Sequence, residues 1–228
     1  MKLMVVDTAL GLCTVGVFEV DERGTRPLGL RSEPMVKGHS ERIAGFARDA
    51  AKQAGLAFTE LDRIGVTVGP GSFTGLRVGL AFAQGLAAAL DRPVVGVSAL
   101  DALAASAGEA RAAAALIDAR RGQVYARFWR DGEADGPAEA LTLEAAAARV
   151  GAMGEGAVLI GSGAALFDEV SAGMTILSLD GPAPEALAIL AAAADPAAAP
   201  ARPLYLRAPD ATPPTRLPGQ ARGPVRAP

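Results

Sequence analysis

Apolar residues Leu3 to Val6 run unbroken to Asp7, a turn follows around Gly11, and Thr14 to Val20 continues as a second strand. This opening reads as a β-hairpin. A third strand is expected over Leu28 to Arg31. From Ser40 to Ala54 the apolar positions Ile43, Phe46, Ala47 and Ala50 recur at helical spacing, with Ser40 as the N-cap candidate. A buried-looking strand over Ile64 to Val68 then leads through a glycine-rich turn into a long apolar helix from about Thr74 to Leu90. A short strand, Val94 to Val97, and another helix complete the first half.

The second half repeats this order in shortened form. The segment "VVDTALGLCTVGVF", with Asp7 and Gly11, is echoed by "LIDARRGQVYARFW", with Asp118 and Gly122. The segment "VTVGPGS", with Gly69 and Gly71, is echoed by "VLIGSGA", with Gly161 and Gly163, and each copy follows a strand and is expected to open a helix. Two echoes in the same order on the same element types indicate an internal duplication. The expected architecture is α/β, with two similar lobes over residues 1–100 and 101–208, their Asp-bearing hairpins and glycine turns facing a shared crevice. Residues 209–228, dominated by Pro, Ala, Gly and Arg, are expected to be disordered, with Arg216, Arg222 and Arg226 solvated rather than engaged with phosphates.

Composition removes several chemistries. Half of the 228 residues are apolar, enough for folded cores. Asp7 interrupts the first apolar run too early for a signal-peptide core, and no later stretch reads as a clean membrane span once helix-breakers are counted, so a cytoplasmic protein is expected. The chain has one cysteine and one histidine. That excludes an internal disulfide and leaves too few ligands for a zinc site, so no metal or cofactor is expected. Cys13, in an alternating strand, reads as a small buried filler. The net charge of -3 gives no reason to expect tight RNA binding by this chain alone.

The segment Gly69-Pro70-Gly71-Ser72-Phe73-Thr74-Gly75-Leu76-Arg77 turns from a strand into a helix. It is not a Walker A loop, because no Gly-Lys-Ser/Thr follows the spacer. Two readings stay open for it and for Gly161 and Gly163: a phosphate cradle at a helix N-terminus, or glycines that only permit a tight turn. Asp7 and Asp118 likewise allow contact with a nucleotide and its magnesium, or a structural role as acceptors of turn hydrogen bonds. The following helix has Gln84 as its only polar side chain from Val78 to Leu90 and sets Gly75, Gly79 and Ala83 at four-residue steps. Each glycine inside a helix costs about 1 kcal/mol relative to alanine, so close helix-to-helix approach is expected. A subunit interface is the favoured reading, and a fully covered helix of the same domain the other.

With "VVDTA" at Val5 to Ala9, "HSERI" at His39 to Ile43, "GPGSFTGLRVG" at Gly69 to Gly79, "DARRGQVY" at Asp118 to Tyr125 and "PLYLR" at Pro203 to Arg207, the chain resembles the TsaB (YeaZ) family. The resemblance implies an actin-like (ASKHA) fold of two ribonuclease-H-like lobes. It also implies a non-catalytic dimerisation subunit of the complex that makes threonylcarbamoyladenosine in tRNA, pairing with the catalytic paralogue TsaD alongside the small ATPase TsaE. In that family the helix after the His-Ser-Glu segment and the helix after the glycine loop pack against the same helices of a partner. Carried onto this chain, the implied interface is His39, Ser40, Ile43, Gly75, Leu76, Val78, Gly79, Phe82, Ala83 and Leu86. Asp7, Gly69, Gly71, Ser72, Asp118, Gly161 and Gly163 are the candidates for nucleotide or phosphate contact. The paralogue's metal-binding histidine pair is missing here, since His39 stands alone. Ala9 and Gln123 stand where the family often has serine and glutamate. A homodimer is expected when the chain is alone, with tRNA reached only through the complex and no membrane contact. An actin-fold ATPase or small-molecule kinase is the alternative, and a metalloprotease would need a metal site for which only His39 is available.

Overall fold

The computed structural model describes residues 1–108 and 110–207; the expected tail over 209–228 lies outside them. The chain runs through β1 (Lys2–Asp7), β2 (Leu12–Asp21), β3 (Gly24–Pro34), α1 (His39–Ala54), β4 (Arg63–Gly69), α2 (Phe73–Leu90) and β5 (Val94–Ser98). α3 (Ala99–Ser106) leads to β6 (Ala112–Arg120), β7 (Gln123–Arg130), β8 (Glu133–Ala134), β9 (Glu139–Thr142) and α4 (Leu143–Gly151). Then come β10 (Val158–Ile160), a 3₁₀ segment over Ala164–Val170, β11 (Thr175–Leu177) and α5 (Pro184–Ala193).

The first sheet has the order β3-β2-β1-β4-β5, antiparallel across its first three strands and parallel from β1 to β5. Strand geometry sends alternate side chains to opposite faces. Met4 and Val6 accordingly join a core with α1 and α2, while Leu3 and Val5 join one with α5. β1 is buried from Leu3 to Asp7 because both faces are covered, which explains its unbroken apolar run.

The second sheet repeats the plan. β6 pairs antiparallel with β7 as β1 does with β2, and β10 and β11 pair parallel beyond β6 as β4 and β5 do beyond β1. The short strands β8 and β9, both paired to β7, stand in the place of β3. α4 replaces α1, and the 3₁₀ segment replaces α2. This is the actin-like fold with a shortened second lobe. α3 lies between the lobes, where Leu100 and Leu103 share a core with Ala9 and Leu76 of the first and Ala115, Ile117 and Ile160 of the second.

Four expectations need correction. β3 extends well beyond Leu28–Arg31, because an edge strand pairs on one side only and tolerates polar residues. Ser40 does not cap α1; Gly38 does, at φ 89°, and His39 is already helical. The "VLIGSGA" turn opens a 3₁₀ segment instead of an α-helix. The boundary between lobes is not a single cut near residue 100: α5 returns to pack on the first sheet through Leu187, Ala188 and Ala191.

α2 is, by length and composition alone, apolar enough to cross a membrane, with mean hydropathy 1.3 over its 18 residues. In the fold it lies along the first sheet, with Gly75, Leu76, Gly79, Leu80, Ala83 and Ala87 buried.

Candidate functional site

The outward sides of α1 and α2 enclose an apolar groove of about 520 Å³, lined by Ser40, Ile43 and Ala44 from one helix and by Phe73, Thr74, Arg77, Val78, Ala81 and Phe82 from the other. The backbone places it there simply. Ser72 caps α2 by accepting the Gly75 N–H at 3.2 Å, so the helix starts at the mouth of the turn and runs beside α1. At the groove's end, the Arg77 guanidinium lies 3.7 Å from the centre of the Phe73 ring, and its Nε donates to the Tyr205 hydroxyl at 3.2 Å.

The residues expected at an interface divide between two faces. Ser40, Val78 and Phe82 line the groove, and Ile43 forms its floor at 3% exposure. Leu86 is half-buried along the same helix. Gly75, Leu76, Gly79 and Ala83 point inward, which corrects their assignment to a partner surface. A Cβ at Gly75 would collide with the Thr8 carbonyl oxygen, and one at Gly79 with the Thr8 hydroxyl. The close approach these glycines permit is therefore to the end of β1, not to another helix. His39 is also buried, at 6% exposure. Arg77 and Gln84, seven residues apart and both exposed, mark the outer face in the sequence. Sequence reasoning misses Phe73, Thr74, Arg77, Ala44 and Ala81 as groove residues, because it follows the line of small residues, and that line faces the sheet.

The second cavity, about 720 Å³, is the cleft between the lobes. Gly71, Ser72 and Asp118 line it, joined by Met35, Val36, Tyr125, Ser162, Asp180 and the segment 204–207. Asp7, Gly69, Gly161 and Gly163 do not line it. Gly161, at φ 112°, packs so closely on the Leu116 carbonyl that a Cβ has no room, and Gly163 sits against the backbone of Leu116 to Asp118. Close backbone packing accounts for the positions of these glycines; of the two readings left open, this geometry is that of the tight turn.

Asp7 lies beneath the cleft at 1% exposure. Its Oδ1 accepts from the Ala9 N–H at 2.9 Å and the Thr67 hydroxyl at 2.6 Å. Its Oδ2, like Nε2 of His39, has no hydrogen-bond partner among the described residues. Burial pushes the Asp7 carboxyl above its usual range, against the opposing effects of Thr67, Ala9 and the charge of His39. Cys13 is fully buried, and burial with the nearby charges of Asp7 and Glu33 pushes its thiol up to about 11. Asp118 is more accessible; its Oδ1 accepts from the Arg120 N–H at 2.8 Å, and its Oδ2 pairs with the Arg120 guanidinium at 3.2 Å. Among the described residues no cluster of three or more metal-ligating side chains forms.

The family described as TsaD, tRNA N6-adenosine threonylcarbamoyltransferase, matches residues 24–152, more than half of the chain. The Escherichia coli protein named tRNA threonylcarbamoyladenosine biosynthesis protein TsaB is 36% identical over 135 residues, 58% of this chain and 56% of that protein. A crystal structure from Pseudomonas aeruginosa, titled as an uncharacterized protein with similarity to peptidase YeaZ, superposes with a TM-score of 0.72 at 30% identity, covering 90% of this chain and 99% of that one. The chain belongs to the TsaB (YeaZ) family. An uncharacterized protein of Mycobacterium tuberculosis is 35% identical over 213 residues, 92% of this chain and 94% of its own length. With the named TsaB relatives the match is shorter, spanning about half of the Escherichia coli and Haemophilus influenzae proteins, at 56% and 52%.

Proposed function

We propose that the chain acts in the biosynthesis of tRNA threonylcarbamoyladenosine as a non-catalytic subunit that docks a TsaD-type catalytic partner through the α1–α2 groove, in a complex that also engages a TsaE-type ATPase. The names of its relatives supply the pathway. The observation that carries the docking is an apolar groove between two neighbouring helices, rimmed by Phe73, Val78, Ala81 and Phe82 and by a single stacked arginine. Helix faces of this kind seat partner helices, since apolar surface gains by leaving water. When the chain is alone, the same groove pairs two copies. Contact with tRNA belongs to the complex, because a net charge of -3 offers no general attraction to phosphates.

The test is light scattering coupled to size exclusion, on the chain alone and mixed with the TsaD-type protein of the same organism. A dimer that exchanges into a mixed complex is expected. Ala81→Arg, on an exposed groove position, should abolish both associations and leave the fold intact, read as an unchanged circular dichroism spectrum, while the melting temperature loses its dependence on protein concentration. A persistent monomer that ignores the partner overturns the proposal. Gly79→Arg is unsuitable as a probe, because it would damage the packing of α2 on β1.

A second reading, a nucleotide site in the cleft, draws on Gly71, Ser72 and Asp118 in its wall. An actin-fold ATPase or kinase built on it requires magnesium-dependent ATP turnover by the purified chain. Absence of turnover removes this second reading.

A further inference from the structure

After α5 the described chain has no further helix or strand, yet it is pinned repeatedly. The Gly96 N–H donates to the Ala199 carbonyl at 2.9 Å, Nε2 of Gln84 donates to the Ala201 carbonyl at 2.7 Å, and the Leu204 N–H donates to the Val68 carbonyl at 2.7 Å. These contacts lay the segment across β5, α2 and β4 of the first lobe. Tyr205 then accepts from Arg77, and its ring stands 5.5 Å from that of Phe73. Arg207 crosses to the second lobe, where its Nη1 donates to the Ala119 carbonyl at 3.1 Å and to Oε1 of Gln123 at 3.3 Å. Those two acceptors flank the turn between β6 and β7.

The stack of Phe73, Arg77 and Tyr205 has an uncommon position. Phe73 lines both the groove and the cleft, Arg77 lines the groove, and Tyr205 lines the cleft. The three side chains form the wall between the two cavities. Phe73 is 44% exposed and Tyr205 43% exposed, so two large rings stand half in water beside an apolar groove. Aromatic and arginine side chains in such places concentrate binding energy.

We propose that Ala199–Arg207 is a strap that carries docking at the groove to the second lobe. A partner helix seated on Phe73 and Arg77 fixes Tyr205, and Arg207, two residues on, holds the β6–β7 turn at the edge of the cleft. The coupling rests on the docking function proposed above; the hold of the strap on the second lobe does not. Coupling between sites is reciprocal, so loosening the strap at its far end must weaken docking by the factor with which docking tightens the strap.

Arg207→Ala tests this, because Arg207 does not line the groove. Gln123→Ala removes one acceptor of the same contact from the other lobe, and guards against a folding defect peculiar to one variant. Hydrogen exchange of each variant alone should speed up at the β6–β7 turn, and the dissociation constants for self-association and for the TsaD-type partner should rise about fivefold or more. Unchanged exchange at the turn in both variants overturns the strap. Faster exchange with unchanged dissociation constants overturns the coupling and leaves the docking function standing. A wild-type chain that associates with neither itself nor the partner removes the docking function and the coupling together, a result distinct from the other two.

Discussion

Buried polar atoms at the base of the cleft are the residues whose chemistry the fold changes most. Among the described residues Asp7 keeps two hydrogen bonds on one oxygen and none on the other, and burial raises its pKa above the unfolded value of 3.8. A folded-state pKa above the unfolded one means that the native state binds the proton more tightly. This contribution to stability is full below 3.8 and is lost as pH rises through the folded value. Asp7→Asn retains an oxygen to accept from Ala9 and Thr67 and removes the charge. Its melting temperature should equal or exceed that of the wild type at neutral pH, with the difference vanishing below about pH 4. A lower melting temperature for the variant at neutral pH would show that burial of the charge is not the dominant cost at this position. Cys13 follows the same logic. With its thiol pushed up to about 11 and no exposed surface, it should resist a disulfide reagent in the native protein at neutral pH and react fully once the chain is unfolded.

Glycines within α2 separate packing from propensity at the scale of an element. Gly79 lies against Thr8, whose hydroxyl donates to the Gly75 carbonyl at 2.7 Å, so a methyl group there displaces a hydrogen-bonded side chain. A methyl group at Gly85 would meet nothing within 4 Å among the described residues. Gly79→Ala should therefore destabilise by about 1–3 kcal/mol through overpacking. Gly85→Ala should stabilise by about 0.5–1 kcal/mol through helix propensity. Urea unfolding of both variants decides the matter, and a loss of stability at Gly85 would place an unrecognised contact there. The helix itself was legible in the sequence, as were β1, β2, β4 and β5. Its orientation was not, because a four-residue line of small residues marks close approach without saying whether sheet or partner is approached.

For the whole molecule, the return of α5 to the first sheet is the decisive connection. Nη1 of Arg63, on β4, donates to the carbonyls of Ala191, Ala192 and Ala194 at 2.8, 3.0 and 2.7 Å. A guanidinium here satisfies carbonyls at the end of α5 that the helix leaves free, with a charge suited to a helix C-terminus. Arg63→Ala should cost about 2 kcal/mol, the scale of losing a charged hydrogen-bond donor from a partly buried site. Limited proteolysis should then cut first in the stretch after α5. A variant with unchanged stability and cleavage pattern would show that apolar packing by Leu187, Ala188 and Ala191 suffices to hold the helix.

The sequence by itself determined the α/β class, the opening hairpin, the repetition of its plan in the second half and the family, because strand and helix periods and turn motifs are local properties of the chain. The echo of Asp7 and Gly11 in Asp118 and Gly122 corresponds to paired hairpins with matching neighbours in the two sheets. Tertiary structure alone decided which way Gly75 and Gly79 face, that Gly161 and Gly163 serve backbone packing, that α5 belongs with the first sheet, and that Tyr205 and Arg207 bridge groove, cleft and second lobe. Each of these depends on contacts between residues far apart in the chain, and no local period encodes which distant surface a residue will meet.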